Sequence, residues 1–315
     1  MDQKLVDRMI NAGVIGVGHL GQHHARILSG LAGVKLTAVV DTDRKRAEEI
    51  AGKFGGAVFT DCKEALGAAD VFSIAAPTTL HHKIAIECIR AGKHLLIEKP
   101  ISATVKEADD IIEESQKKGV IVQIGHLERY NPAVLAVFPL IKNPVFFEAE
   151  RLSPFLGRGT DVDINIDLMI HDIELVLAIL SRDGAPPMLT DLKVAAEKVL
   201  SEKIDIARVW FEFSNGVQAL MTASRLAIDK SRTLKIFQGD TYFIVDYQNA
   251  ELKRCYKADG KMGVENIPVE KHEPLMEELK DFIDCIIKKR RPLITASDGR
   301  NALKIAIEIS QRIKR

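Results

Sequence analysis

Three groups of residues in this sequence could do chemistry. The first is Gly16-Val17-Gly18-His19-Leu20-Gly21, which has the form G-x-G-x-x-G. Between a strand and a helix, such a run brings backbone amides to a pyrophosphate. The first glycine permits the tight turn and the second lets the anion approach. The third lets helix and strand pack closely, while the helix N-terminus faces the negative charge. Asp41 ends the next β-rich run, about 20 residues beyond Gly21. A carboxylate there accepts hydrogen bonds from ribose hydroxyls and repels a 2′-phosphate. NAD is therefore the expected cofactor, with NADP kept open because Arg44 and Arg46 could neutralise a phosphate.

The second group is Glu98-Lys99-Pro100, at the C-terminal end of an expected strand, where open α/β sheets bind ligands. Proline keeps the preceding lysine out of helical geometry and can hold a cis bond, which fixes where Lys99 points. A cation aimed at a reacting hydroxyl would stabilise the alkoxide that develops there. Spacing alone fits a solvated lysine beside a turn proline better.

The third group is Asp167 and His171. Four residues apart on a helix, their side chains can meet. A carboxylate so placed orients the imidazole, and the imidazole can take a hydroxyl proton while hydride leaves the same carbon. On a helical wheel Asp163, Asp167, His171 and Glu174 fall within about 80° of one another, flanked on both sides by apolar residues. That narrow polar strip is expected to line a cleft. The alternative is a buried, satisfied core histidine. No further ligand stands at metal-site spacing, so no metal is expected. The adjacent pairs His23-His24 and His81-His82 point apart on a helix and add none.

Arginines near these groups suggest what they would act on. Arg129 and Tyr130 lie in Gly125–Pro132, and Arg151 and Arg158 lie in the stretch before the Asp167 helix. Guanidinium forks suit phosphate or carboxylate oxygens, although Arg151 and Arg158 could instead pair with Glu150 or Asp161.

The elements that must position these groups follow two rhythms. Up to residue 125, short β-rich runs (14–17, 35–40, 70–75, 94–97, 120–125) alternate with helical patterns (21–30, 44–54, 80–91, 105–118). That alternation predicts βαβ units and a doubly wound parallel sheet, a dinucleotide-binding domain over 1–125. From 126 to 315 the reading is a strand at 146–152 and a helix at 163–181. A run of strands follows at 189–196, 204–213, 217–226, 233–238, 242–246 and 251–256, and helices at 274–289 and 297–313 close the chain. Strands without intervening helices predict a mostly antiparallel sheet in an α+β domain for substrate and assembly, with the C-terminal helix able to pack back on the first domain. Asn215-Gly216 is a hairpin signal within this series.

Composition bounds the rest. The 315 residues suit two domains, and 44 basic against 44 acidic side chains give no footprint for nucleic acid. No run reaches the roughly 18 uncharged apolar residues of a membrane span. Four scattered cysteines offer neither a zinc framework nor a disulfide scaffold, and the N-terminus lacks a signal-like apolar run. A soluble cytoplasmic protein is the expectation.

Taken together, Gly16–Gly21, Ala76-Pro77 followed by His81, Ala91–His94, Glu98–Pro100 and the Asp167–His171 pair resemble the Gfo/Idh/MocA oxidoreductases. The resemblance implies a Rossmann domain followed by an open-faced sheet, often the surface of a homodimer or homotetramer. It implies that Gly16, Gly18, His19, Leu20, Gly21, Asp41, Ala76, Pro77, His81, Glu98 and Lys99 contact the cofactor. It also implies catalysis by Lys99, Asp167 and His171. Thr78 stands where the family usually has Asn. The segments around Arg129 and Arg151 resemble the branch that oxidises nucleotide sugars. That implies a substrate such as UDP-N-acetylglucosamine oxidised at C3, with Arg129, Tyr130, Arg151, Arg158 and Asp167 at the substrate. A polyol or inositol-type dehydrogenase and a non-catalytic NAD-binding sensor are the alternatives.

Overall fold

The computed structural model describes residues 9–155, 157, 162–182 and 184–313. The chain divides into two compact units, Met1–His126 with Leu275–Arg300, and Leu127–Pro274 with Asn301–Arg315.

The first unit runs β1 (Ile10–Ile15), α1 (Gly21–Gly30), β2 (Val34–Val40), α2 (Arg44–Phe54), β3 (Ala57–Phe59) and α3 (Cys62–Ala65). It continues with β4 (Val71–Ile74), α4 (Thr78–Arg90), β5 (His94–Glu98), α5 (Val105–Lys118) and β6 (Val122–Gly125). Its six strands pair in parallel in the order β3-β2-β1-β4-β5-β6. Strand order reverses between β1 and β4, which creates the crevice where such sheets take ligands. All four residues of β4 are buried, as expected for a parallel strand covered on both faces. The helices start where their caps say they should. Thr104 and Glu107 form a reciprocal capping box on α5, and Asp43 accepts from Lys45 and Arg46 amides at α2. The three-residue strand β3 escaped the sequence reading because it is too short and too exposed to show periodicity.

The second unit holds α6 (Pro132–Val137), β7 (Phe146–Leu152), a π-helical turn at Asn165–Met169 and α7 (Ile170–Leu180). Seven strands follow: β8 (Leu189–Glu197), β9 (Ile206–Phe213), β10 (Gln218–Ser224), β11 (Ser231–Gln238), β12 (Thr241–Asp246), β13 (Glu251–Ala258) and β14 (Lys261–Ile267). The eight-stranded sheet has the order β14-β13-β12-β11-β7-β10-β9-β8 and is antiparallel except where β7 meets β10. Alternation gives it two faces. Phe147, Ala149, Ala219, Met221, Leu234 and Ile236 are buried on one. On the other, Trp210, Phe146, Phe237 and Tyr242 form a ladder of half-exposed rings with centroids 4.9–5.6 Å apart.

Two helices close the chain, α8 (Pro274–Lys288) and α9 (Ala296–Ile313). Leu279, Phe282 and Ile283 of α8 join the core of the first unit with Val14, Leu28 and Val39. Asn165 of the second unit donates to the Ala306 carbonyl and to Ser310 of α9. Among the described residues, no helix is long and apolar enough to cross a membrane.

Candidate active site

In the first unit, the turn after β1 has the geometry its glycines require. Gly16 has φ +83°, and a Cβ there would stand 2.8 Å from the Ala75 oxygen. A Cβ on Gly21 would stand 1.8 Å from the Gly16 oxygen. Around Gly18, by contrast, there is open space. The second glycine thus leaves room for something other than the chain, and no side chain caps the N-terminus of α1 behind it. A cavity of about 670 Å³ opens here, lined by Gly16, Gly18, His19, Leu20, Asp41, Ala76 and Pro77 among others. These residues fit a dinucleotide. Asp41 is buried, and its two oxygens accept from the Val17 and Asp43 amides, both at 2.9 Å. Arg46 reaches the same carboxylate at 3.4 Å, whereas Arg44 turns away to Glu48.

Two residues expected at the cofactor do other work. The His81 ring is buried with Nδ1 at 2.9 Å from the Pro100 oxygen and Nε2 at 2.8 Å from the Ala76 oxygen. It ties the loop after β4 to the loop after β5 and does not line the cavity. Burial holds its pKa below the ordinary histidine value, against the pull of the carbonyls. Glu98 is likewise turned inward. His24 Nε2 faces its Oε1 at 3.1 Å, His24 Nδ1 lies 2.7 Å from the Ser73 hydroxyl, and the Lys99 amide donates to Oε2. Burial alone would raise the Glu98 pKa, but His24 and Lys99 outweigh it and keep the carboxyl below its usual value. The chain Ser73–His24–Glu98 therefore braces the backbone of Lys99, which is half-buried and joined to Pro100 by a cis peptide bond. Gly21 acts through packing and lies outside the cavity lining.

In the second unit, the π-helical turn changes the expected polar strip. Bonds in a π turn run i→i+5, so the wheel slips between Asp163 and His171. Asp163 and Glu174 leave the strip for internal partners. Asp163 accepts from the Ile204 amide and the Ser310 hydroxyl, and Glu174 receives Arg129 at 3.0 Å. Asp167 lies within the π turn and His171 in the first turn of α7, with the junction between them. His171 is half-buried rather than part of the core.

The arginines require a larger correction. Arg151 is only 1% exposed, and both edges of its fork are taken. It donates to Asp172 through Nε and Nη2 at 2.9 Å each and to Glu128 through Nη1 at 2.7 Å. Burial opposes the charge, yet Asp172 and Glu128 hold this guanidinium protonated more firmly than usual. It cannot also wrap a diphosphate. Arg129 is engaged more lightly, with one Nη donating to Glu174 at 3.0 Å and the guanidinium 5.2 Å from the Phe138 ring. Tyr130 is buried, and Arg158 lies outside the described residues. The sequence assigns no site role to Glu128 or Arg232, and places Asp172 only in a small polar patch with Asn165 on the far side of the helix. The signal was strand alternation, since Arg151 follows Phe147 and Ala149 on the buried face of β7, and Arg232 shares a face with Leu234 and Ile236.

Comparison with known proteins agrees with this geometry. Residues 10–126 match the profile described as an oxidoreductase family with an NAD-binding Rossmann fold. The chain is 34% identical to UDP-N-acetylglucosamine 3-dehydrogenase of Acidithiobacillus ferrooxidans, over 95% of this chain and 96% of that one. It is 24% identical to scyllo-inositol 2-dehydrogenase (NAD(+)) of Bacillus subtilis, over 96% and 93% of the two chains. A solved structure of the Acidithiobacillus enzyme superposes with a TM-score of 0.90 at 32% identity, covering 95% of this chain and 96% of that one. Levoglucosan dehydrogenase in complex with NADH and levoglucosan shares the fold, with a TM-score of 0.84 at 18% identity over 96% and 97%.

Proposed function

The chain belongs to the Gfo/Idh/MocA family of NAD-dependent oxidoreductases, and from that premise we propose that it oxidises a nucleotide sugar, UDP-N-acetylglucosamine, at C3. What carries the substrate is the extent of the likeness. The family profile ends at residue 126 and would suit many dehydrogenases. The similarity to the nucleotide-sugar enzyme runs through the second unit as well.

Bound NAD would supply the hydride acceptor, held by the glycine turn and by Asp41. In this reading His171 takes the proton from the C3 hydroxyl, and Asp167 orients the imidazole and binds a neighbouring hydroxyl. The Lys99 ammonium stabilises the oxyanion as the carbinol becomes a ketone. The Ser73–His24–Glu98 chain and the His81 staple keep Lys99 and the loop at Ala76 in place. The half-exposed ladder of Trp210, Phe146, Phe237 and Tyr242 supports assembly of two or four copies through that face of the sheet. Four unpaired cysteines suit a reducing cytoplasm.

The test is spectrophotometric. NADH should appear at 340 nm with UDP-N-acetylglucosamine, and His171→Ala or Lys99→Met should lower kcat by about 100-fold or more while NAD still binds. NADH formation with myo-inositol but not with the nucleotide sugar would replace this reading by a polyol dehydrogenase. Tight NAD binding without turnover of either would indicate a sensor.

A further inference from the structure

The geometry points to Arg232, on β11, as the side chain that receives the phosphate oxygens of the substrate. The identity of the anion rests on the nucleotide-sugar reading, whereas the receptor rests on what surrounds this arginine. In the register of β11 on β7, Arg232 stands directly opposite Arg151. Both project from the face that carries Leu234, Ile236, Phe147 and Ala149. Like charges at opposed strand positions are destabilising unless an anion is shared between them. Glu128 is shared between them unequally, with Arg151 at 2.7 Å and Arg232 at 4.0 Å, and Asp172 and Asp167 act on Arg232 only through its charge.

The other described arginines of this region each hold a closer acidic or carbonyl partner. Arg151 has Asp172 and Glu128, and Arg129 has Glu174. Arg225 pairs with Asp205 and donates to the Val162 and Ile204 carbonyls. Among the described residues, the Arg232 guanidinium makes no hydrogen bond, and its one ion pair is the long one to Glu128. Its side chain is 35% exposed, so a ligand can reach it. Asp167 is close enough to act on its charge, which places the guanidinium near the residue assigned to the sugar hydroxyls. Burial and the neighbouring Arg151 make its proton easier to lose than in a free arginine, and an incoming dianion would reverse that. A planar fork with its donors unspent, held beside a second fixed cation, suits two oxygens of a phosphate.

The test is calorimetric titration of the NAD-saturated protein with UDP, so that the dinucleotide cavity is already filled. Wild type should bind UDP, and Arg232→Gln should weaken that binding at least tenfold while its affinity for NAD is retained. Arg232→Lys should fall in between, because a single ammonium cannot span two oxygens. Uridine, which lacks the phosphates, should not distinguish wild type from either variant. A wild type that binds no UDP overturns the inference, as do UDP affinities in the folded variants equal to wild type. A uridine affinity that falls as far as that for UDP overturns it too. Should Arg232→Gln fail to fold, the lysine variant decides alone, with undiminished UDP affinity as the refuting result. If UDP binds through Arg232 but UDP-N-acetylglucosamine yields no NADH, the function proposed above falls and the receptor stands.

Discussion

The reassignment of Arg151 from ligand to anchor has a direct thermodynamic consequence. Arg151 and Asp172 are both about 98% buried and joined by two bonds of 2.9 Å, with Glu128 closing the third side. Removing one partner of such a pair leaves an ion in a poor solvent, which costs about 3–5 kcal/mol. Replacing both by apolar groups of similar volume is often neutral. Asp172→Leu and Arg151→Met are therefore each expected to destabilise the second unit by about 3–5 kcal/mol. The double variant should recover much of that loss, by about 2 kcal/mol or more relative to the sum. With a urea dependence of about 2 kcal/mol per molar, a loss of about 4 kcal/mol moves the midpoint down by about 2 M. Trp210 is the sole tryptophan and sits on β9 of the same sheet, so its fluorescence reports this unit directly. If Arg151→Met left the midpoint within about 0.3 M of wild type and raised KM for the nucleotide sugar tenfold instead, the anchor would be a ligand after all. The reasoning from burial would then be wrong.

Three other perturbations have clear expected outcomes. Gly21→Ala forces a Cβ against the Gly16 oxygen, an overpacking of about 1–3 kcal/mol that must displace the turn. NAD affinity measured by titration should fall at least tenfold, and unchanged affinity would refute the close approach. Asp41→Ala frees Arg46 from a contact of 3.4 Å and removes the charge that repels a 2′-phosphate. The ratio of kcat/KM for NAD over NADP should drop by tenfold or more, and an unaltered ratio would place cofactor selection elsewhere. Glu278 on α8 is fully buried, and neither carboxyl oxygen has a hydrogen-bond partner among the described residues. Burial, reinforced by Glu98 and Asp281, raises its pKa well above the usual 4.5. Above pH 4.5 the unfolded chain releases this proton while the folded protein keeps it. Stability therefore falls as pH rises toward the raised value, by about 1.4 kcal/mol per unit, and Glu278→Gln should abolish that slope. In calorimetry at pH values rising from 4.5, the two melting temperatures should diverge by roughly 3–5 °C per pH unit, for a unit of this size, until the raised value is reached. Parallel curves would mean that the carboxyl is ionised in the fold.

Much of the fold was legible because its elements obey their periods. The strands of the parallel sheet are continuous apolar runs between turn residues, and β7 could be read to the residue. Strand β14, Lys-Met-Gly-Val-Glu-Asn-Ile, could not, because its mostly exposed side chains carry no alternation. The π-helical turn was invisible for a different reason. One extra residue per turn leaves each amino acid a good helix former, yet it rotates everything beyond it, so a wheel drawn at a fixed angle joined Asp163 and Glu174 to a strip they do not share. The arginines failed through the habit of treating a charged residue as exposed. Arg151 obeys the same alternation as Phe147 and Ala149, and the acids that make its burial tolerable lie 23 residues before it and 21 after it. No local window contains that pairing.

Both units spend buried charge behind a residue proposed to act, and the reason is geometric. An ammonium or imidazole at the end of a strand or helix is mobile unless the backbone beneath it is held on more than one side. Hydrophobic packing alone is non-directional and cannot aim it. In the first unit, Glu98 ties the Lys99 amide to a histidine on α1 and a serine on β4. In the second, Arg151 ties β7 to Asp172, the residue after His171, and to Glu128 ahead of α6. Each cluster breaks the rule that charges stay at the surface, and each fixes orientation that a leucine in its place would not. The desolvation cost is offset by two or three charge-assisted bonds, which leaves little net stability and a defined direction. Local violations of this kind are where a catalytic fold departs from the best sequence for folding alone. Arg232 differs from both, because its guanidinium faces carboxylates without a hydrogen bond to any of them and so keeps its donors unspent.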